Sequence, residues 1–451
     1  MKKAFLCMLL IAFAICNAQS NCDCIAELEF VIDYYQKNLP GFKDNVSAKK
    51  LEEYQIFKNQ LLEQSNTTTY LTAITQDSTL VNLIAEQHKT FKSLEDSFEG
   101  EGWNFIVDEL QKSKHVLVGE DHFSNEIPQF IKAVFDKKHF DNFYIEVDPY
   151  STKILERSLK EFTLEERQIF NINFSDRFSF YSFKAEYDLL KYISDKGTNI
   201  LGADQIIGNA DLIIFNDLIS KTESTEAKKL YRIISKDSEN ALNQFYEKTK
   251  NPMTMHLFSD KFTEQLNALE ALGLSHYELE IFSAMRKSVK IYKEQNHYYR
   301  VKLILNQLMK DYPQWKDSPT LFKYGATHLT RGESQLGNYD IGNLVANITE
   351  SNFEETFHIM VVGESGQLGS IFKIFPPRTV DKENDFYLSY LKPFFEQTDD
   401  SQWHVFNLRP LRKQILRAKL KIDNLNLERV IRGYDALVII PEVTAAKLIK
   451  S

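Results

Sequence analysis

Two short runs in this chain have the residue types for acid–base chemistry. Gly119-Glu120-Asp121-His122 and Gly325-Ala326-Thr327-His328 each place a histidine three residues after a glycine. Between them lies Phe143-Tyr-Ile-Glu-Val-Asp148, which offers Glu146 and Asp148. A histidine with a carboxylate at one ring nitrogen can take a proton from water with the other, or bind a divalent metal as neutral imidazole. His122, Glu120, Glu146 and His328 are the candidate catalytic groups. Arg331 follows His328 closely and would supply fixed donors to a developing negative charge. Glu126, Asp148 and Asp204 are candidate binding residues, and His122, His328 and Glu146 would be the ligands if a metal is held.

Each of these residues also has a plain structural reading. Glu126 would sit in the first turn of a helix, where acids favour the dipole. Asp148 precedes Pro149 and would cap a helix. Asp204 could be an ordinary loop acid and Arg331 a solvated charge. His256, His276 and His297 fall in a helical stretch and read as surface or core groups. One Gly-x-x-His is a common accident. Two of them at strand ends, with a strand-ending glutamate between, form a narrower pattern.

The strands come from short apolar runs, each ending in glycine or an acid. These are 115–118, 143–145, 200–201, 321–322, 358–362 and 436–440. Several are separated by stretches of helical periodicity, which predicts buried parallel strands flanked by helices. Ligands of such α/β sheets bind beyond the carboxyl ends of the strands, where these histidines and acids would converge. Residues from about 215 to 312 break the rhythm and predict an inserted helical subdomain. An N-terminal helical segment is expected over 19–104, with helices at 51–62 and 80–91, and the α/β domain over 105–451.

Residues 1–18 read as a secretory signal. Lys2 and Lys3 precede an apolar run from Ala4 to Ile15, and Cys16-Asn17-Ala18 is a small-x-small cleavage site. The run is too short to span a bilayer, which needs roughly 20 apolar residues. The expected product is periplasmic or extracellular and soluble. Loss of two lysines would make the formal charge of −9 more negative still, which argues against nucleic acid as a partner. A small molecule or peptide is the expected substrate. Only Cys22 and Cys24 would remain after cleavage, too close for an unstrained mutual disulfide.

The run Val116-Leu-Val-Gly-Glu-Asp-His-Phe-Ser-Asn-Glu126, the Glu146 strand and Phe322-Lys-Tyr-Gly-Ala-Thr-His-Leu-Thr-Arg-Gly332 together resemble the superfamily of erythromycin esterases, ChaN-type haem-binding lipoproteins, and Tiki and TraB/GumN proteins. The late Gly433-Tyr-Asp-Ala-Leu-Val-Ile-Ile440 resembles the closing strand of esterase-like members. The resemblance spans about residues 105–451. It implies an α/β fold with Glu120, His122, Glu146 and His328 lining the centre. It also implies two functions: a hydrolase of ester or amide bonds, metal-assisted or not, or a binder of haem or another iron compound; a non-catalytic scaffold acting through its helical parts is the third reading. The chain has one residue fewer between Gly-Glu and His in its first motif than erythromycin esterases have. It also lacks their His-x-x-His second motif. Both departures argue against macrolide hydrolysis. The segment from Cys22 to Phe42 resembles the helical lead-in of exported tail-specific proteases, without any of their catalytic part.

Overall fold

A computed structural model describes residues 78–449, apart from 96, 373 and 385. The expected signal peptide, Cys22, Cys24 and the helices placed before residue 78 lie outside the described residues. The nine strands of the main sheet are β1 (His88–Ser93), β2 (Phe98–Glu99), β3 (His115–Glu120), β4 (Asn142–Ile145), β5 (Asn199–Gly202), β6 (Thr320–Gly325), β7 (Thr356–Gly363), β10 (Trp403–Asn407) and β11 (Ala436–Ile440). A separate hairpin pairs β8 (Ser365–Leu368) with β9 (Arg378–Asp381).

The strand order is β2-β1-β10-β11-β7-β3-β6-β4-β5. From β11 to β5 every neighbouring pair is parallel. The expected runs are those strands, and β3, β4, β6, β7 and β11 are buried along their whole length. A strand covered by helices on both faces must be apolar throughout rather than alternating, which is why these runs stand out in the sequence. Each parallel crossover carries the chain back through helices. The longest, between β5 and β6, contains Asp211–Lys221, Thr225–Gln244, Asp260–Glu270, His276–Glu294 and His297–Lys310. This is the helical insertion. A capping box at Ser275 and Glu278 and a side-chain cap from Asn296 start its last two long helices.

One expectation fails within the described residues. The helix proposed for 80–91 ends at Glu86, and His88–Ser93 is a strand. β1 pairs antiparallel with β10, more than 300 residues away in sequence, and β2 pairs with β1. Phe91 is the one fully buried side chain of β1, so there is no alternation to read. Its burial among Phe98, Trp103 and Trp403 depends on a partner far along the chain.

Candidate active site

The strand ends place the site. β3 and β6 are adjacent and in register, with Glu120 opposite Gly325. The two Gly-x-x-His motifs therefore leave the sheet side by side, with Glu146 just beyond β4 on the other flank of β6. A Cβ on Gly325 would lie 2.9 Å from the His122 Nε2, and one on Gly119 would lie 2.4 Å from the Tyr434 hydroxyl oxygen. At Gly325 another side chain would fill space the site occupies, whereas at Gly119 it would collide with Tyr434 and the backbone of Ala326. Phe123, immediately after His122, has φ 77°, and Ser179, immediately before Phe180, has φ 51°. Left-handed backbone at a bulky residue is strained and persists only where its surroundings hold it. The Phe123 carbonyl accepts from the backbone N–H of Gly369 and of Ala446. The reward is a stack of the His122 ring on Phe180, with centroids 4.0 Å apart.

The two histidines are built alike. The His122 Nδ1 is 2.7 Å from Glu120 Oε1, and the His328 Nδ1 is 2.6 Å from Asp340 Oδ2. Both rings turn Nε2 toward one carboxylate: Glu146 Oε2 lies 3.4 Å from His122 and Glu146 Oε1 lies 3.7 Å from His328. Glu146 is further held by the backbone N–H of Gly325 and by Arg300, each at 2.7 Å. Arg300 also makes a two-pronged pair with Asp204, at 2.9 and 2.7 Å. Behind His122, Glu120 Oε1 accepts from the Lys323 ammonium at 2.6 Å, and Lys323 donates to Glu186 at 2.8 Å.

Charges alternate along this row, and the protonation states follow. Burial works against a charged His122, but Glu146 and the hydrogen bonds to Glu120 and Glu146 carry its pKa up to about 10. Burial also opposes ionised Glu146, yet His328, His122 and Arg300 hold it well below the usual carboxylate range. His328 is raised: Glu146 and Asp340 outweigh its burial. Burial pushes Asp148 up to about 6, with Asp204 adding to the shift.

These groups line a cavity of about 720 Å³ at the carboxyl edge of the sheet. Its other walls are Phe180, Ile207, Tyr292, Met360, Val362 and the segment after β8, which supplies Ile371, Arg378 and Tyr387. Glu120, His122, Glu146, Asp148, Asp204 and His328 all border it. Two candidates do not. Glu126 accepts from the backbone N–H and hydroxyl of Thr444, tying its helix to the end of the chain. Arg331 is corrected outright. It pairs with Asp435 at 3.1 Å and with Glu350, and donates to the Thr356 hydroxyl, all at the amino ends of β7 and β11. Three residues beyond His328, the chain has already turned to the opposite rim. The arginine that holds Glu146 is Arg300, on the first turn of His297–Lys310. A cation there opposes the helix dipole, so Asp204 and Glu146 must hold it.

Sequence reading missed Arg300, Lys323, Glu186, Asp340 and His297, which also borders the cavity. Lys323 alone carried a signal: a lysine that continues an apolar run into a buried strand must have a buried counter-charge.

The residues do not fit a divalent metal. Glu146, the one group shared by both histidines, already accepts from Arg300 and Gly325. A metal would also have to displace protons from His122. No group of three or more His, Cys, Asp or Glu side chains suited to a metal ion occurs among the described residues. His122 is no ready haem ligand either, since it faces carboxylates at both nitrogens.

No protein-family model matches the chain, and no curated protein matches it in sequence. Solved structures of the same fold do. A histidine-to-asparagine variant of erythromycin esterase EreC in its open conformation aligns with a TM-score of 0.51 at 12% identity, covering 80% of this chain and 99% of that one. A succinoglycan biosynthesis protein aligns at 0.50 with 16% identity, covering 82% and 98%. A protein from Bacillus cereus aligns at 0.50 with 15% identity, with the same coverage. The fold implied by the paired motifs is the fold observed.

Proposed function

We propose that this chain, built on the fold of erythromycin esterase, is a metal-independent hydrolase of ester or amide bonds in a small, largely apolar molecule. One observation carries the reading: two carboxylate-backed imidazoles converge on Glu146 at the edge of a deep cavity. His122 is the general base. Glu120 fixes its ring, and its Nε2 side takes the proton of a water in the cavity as that water attacks the carbonyl carbon. The imidazolium so formed is matched by Glu120 and Glu146. His328, loosely placed against Glu146 and backed by Asp340, donates from Nε2 to the carbonyl oxygen as negative charge develops, the role expected of Arg331. Proton return from His122 to the leaving oxygen or nitrogen completes the cycle. The apolar walls favour an acyl group of some size. We further read the chain as exported, on the signal pattern of residues 1–18.

The test is a panel of 4-nitrophenyl esters and anilides of increasing acyl length, assayed with wild type, His122→Asn and His328→Asn. Each variant should lose about 10²–10⁴ in kcat while folding normally by circular dichroism. Activity that survives both substitutions, or that no chain length elicits from wild type, overturns the reading. Wild-type activity should also withstand exhaustive chelation.

A further inference from the structure

Lys323 is out of place in ordinary fold terms. It sits on β6, whose every residue is buried, and its own side chain is 2% exposed. Glu186, from the helix Lys184–Asp195, is buried equally well. Its Oε1 accepts from Lys323, while its Oε2 has no hydrogen-bond partner among the described residues. Replacing such a buried pair by apolar side chains of like volume is often neutral or stabilising, so packing alone does not call for it. What distinguishes the pair is its attachment. Lys323 and the His122 Nδ1 share one acceptor, Glu120 Oε1, at 2.6 and 2.7 Å.

We propose that Lys323 and Glu186 are positioning residues that set how tightly Glu120 holds the His122 ring, and so when that ring is free to act. The Lys323 ammonium draws on the same Glu120 oxygen and weakens its grip on the His122 proton. Glu186 offsets part of that cation. Glu186 itself is pushed up to about 7, first by burial and then by Glu120, against the pull of Lys323. Tyr181, buried with its ring centre 5.6 Å from the Lys323 ammonium, stands beside the pair, and the charged or titratable groups on the cavity side of His122 include Glu146 beyond β4, His328 beyond β6 and Arg300 on the insertion. Asp204 and Asp340 stand behind Arg300 and His328. None of these cavity-side groups touches Lys323 or Glu186, so the two can be altered separately.

The inference rests on His122 as the proton-moving group of the proposed hydrolase, but its first test needs no substrate and can fail on its own. The full chain is labelled at its histidines, and the His122 ring is followed by NMR titration, its signal identified by loss in His122→Asn. At the pH where the wild-type ring is half protonated, Lys323→Met should be almost fully protonated and Glu186→Gln almost fully neutral, shifts of about one pH unit in opposite directions. Shifts of the same sign or none overturn the proposal, as does an unchanged pH dependence of hydrolysis in variants whose His122 midpoint has moved. The double variant Lys323→Met/Glu186→Gln leaves no unpaired buried charge and guards against misfolded singles. It should remain folded with its midpoint above wild type, because the nearer charge, Lys323, dominates. A midpoint equal to wild type also overturns the proposal.

Discussion

His122 faces a carboxylate at each ring nitrogen, and that single fact governs how the molecule should respond to pH. With its pKa raised to about 10 by Glu146 and Glu120 against the opposing effect of burial, the free enzyme carries the proton at neutrality. A base in that state acts through its minor neutral form. Hydrolysis, as kcat/KM, should therefore climb by close to tenfold per pH unit between pH 7 and 9, and a flat profile there would assign His122 an acid's role instead. Stability should run the other way. The ordinary histidine value is 6.5, so the stabilisation from the charged ring is fully present below pH 6.5 and is lost as pH rises toward about 10. Denaturant midpoints of wild type should fall across that window, and those of His122→Asn should fall less. The arginines offer a sharper contrast. Arg331→Ala should retain wild-type turnover but lose about 0.5–1.5 kcal/mol of stability, because it removes one of the three arginines that hold buried Asp435. Arg300→Ala should lose turnover by freeing Glu146 and Asp204. Sequence order favoured Arg331 because it neighbours His328. Nothing in the sequence around Arg300 announces that an insertion helix will return over the strand ends.

At the level of elements, the glycine ending β6 is where backbone geometry becomes catalytic geometry. Gly325→Ala should drive its new methyl into the His122 ring. Activity should fall about 10²-fold or more with little change in melting temperature, whereas a large melting shift with activity intact would place the glycine's role in the fold alone. The parallel strands were legible because each is a short, uninterrupted apolar run ending in glycine or an acid. β1, β2 and β10 were not. β1 is mostly polar, β2 has two residues and pairs only with β1, and β1 and β10 find each other across more than 300 residues of sequence. The hairpin of β8 and β9 was equally silent, since little of it is buried. Yet it leads into residues that wall the cavity, and Arg378 on β9 pairs with Asp121 in the first motif. Four of the five expected catalytic side chains meet because they lie at strand ends, which periodicity can locate. Asp340, Glu186 and Arg300 reach the site from helices, whose rotation and placement depend on tertiary packing.

For the whole molecule, the cavity is enclosed by contributions from β-strand ends, the helical insertion and the segment after β8, so its apolar volume is a property of the assembled unit. No helix among the described residues is long and apolar enough to cross a membrane. The proposed export makes a direct prediction: protein recovered from the periplasm or medium should begin at Gln19, as read by N-terminal sequencing, and an intact Met1 on that material would remove the export reading. The sheet order has a further consequence for how such a chain is made. Among the described residues, β11, at 436–440, lies between β7 and β10, and β10 alone bridges the parallel strands to β1 and β2. β1 and β2, made early, therefore wait for strands made much later. Until the final turn of synthesis, β1 and β2 have no seat and β7 presents an open edge. A chain cut short before residue 436 would lack the central splice of its own sheet, and keeping the earlier strands from pairing wrongly until then becomes a task for whatever attends the chain during synthesis.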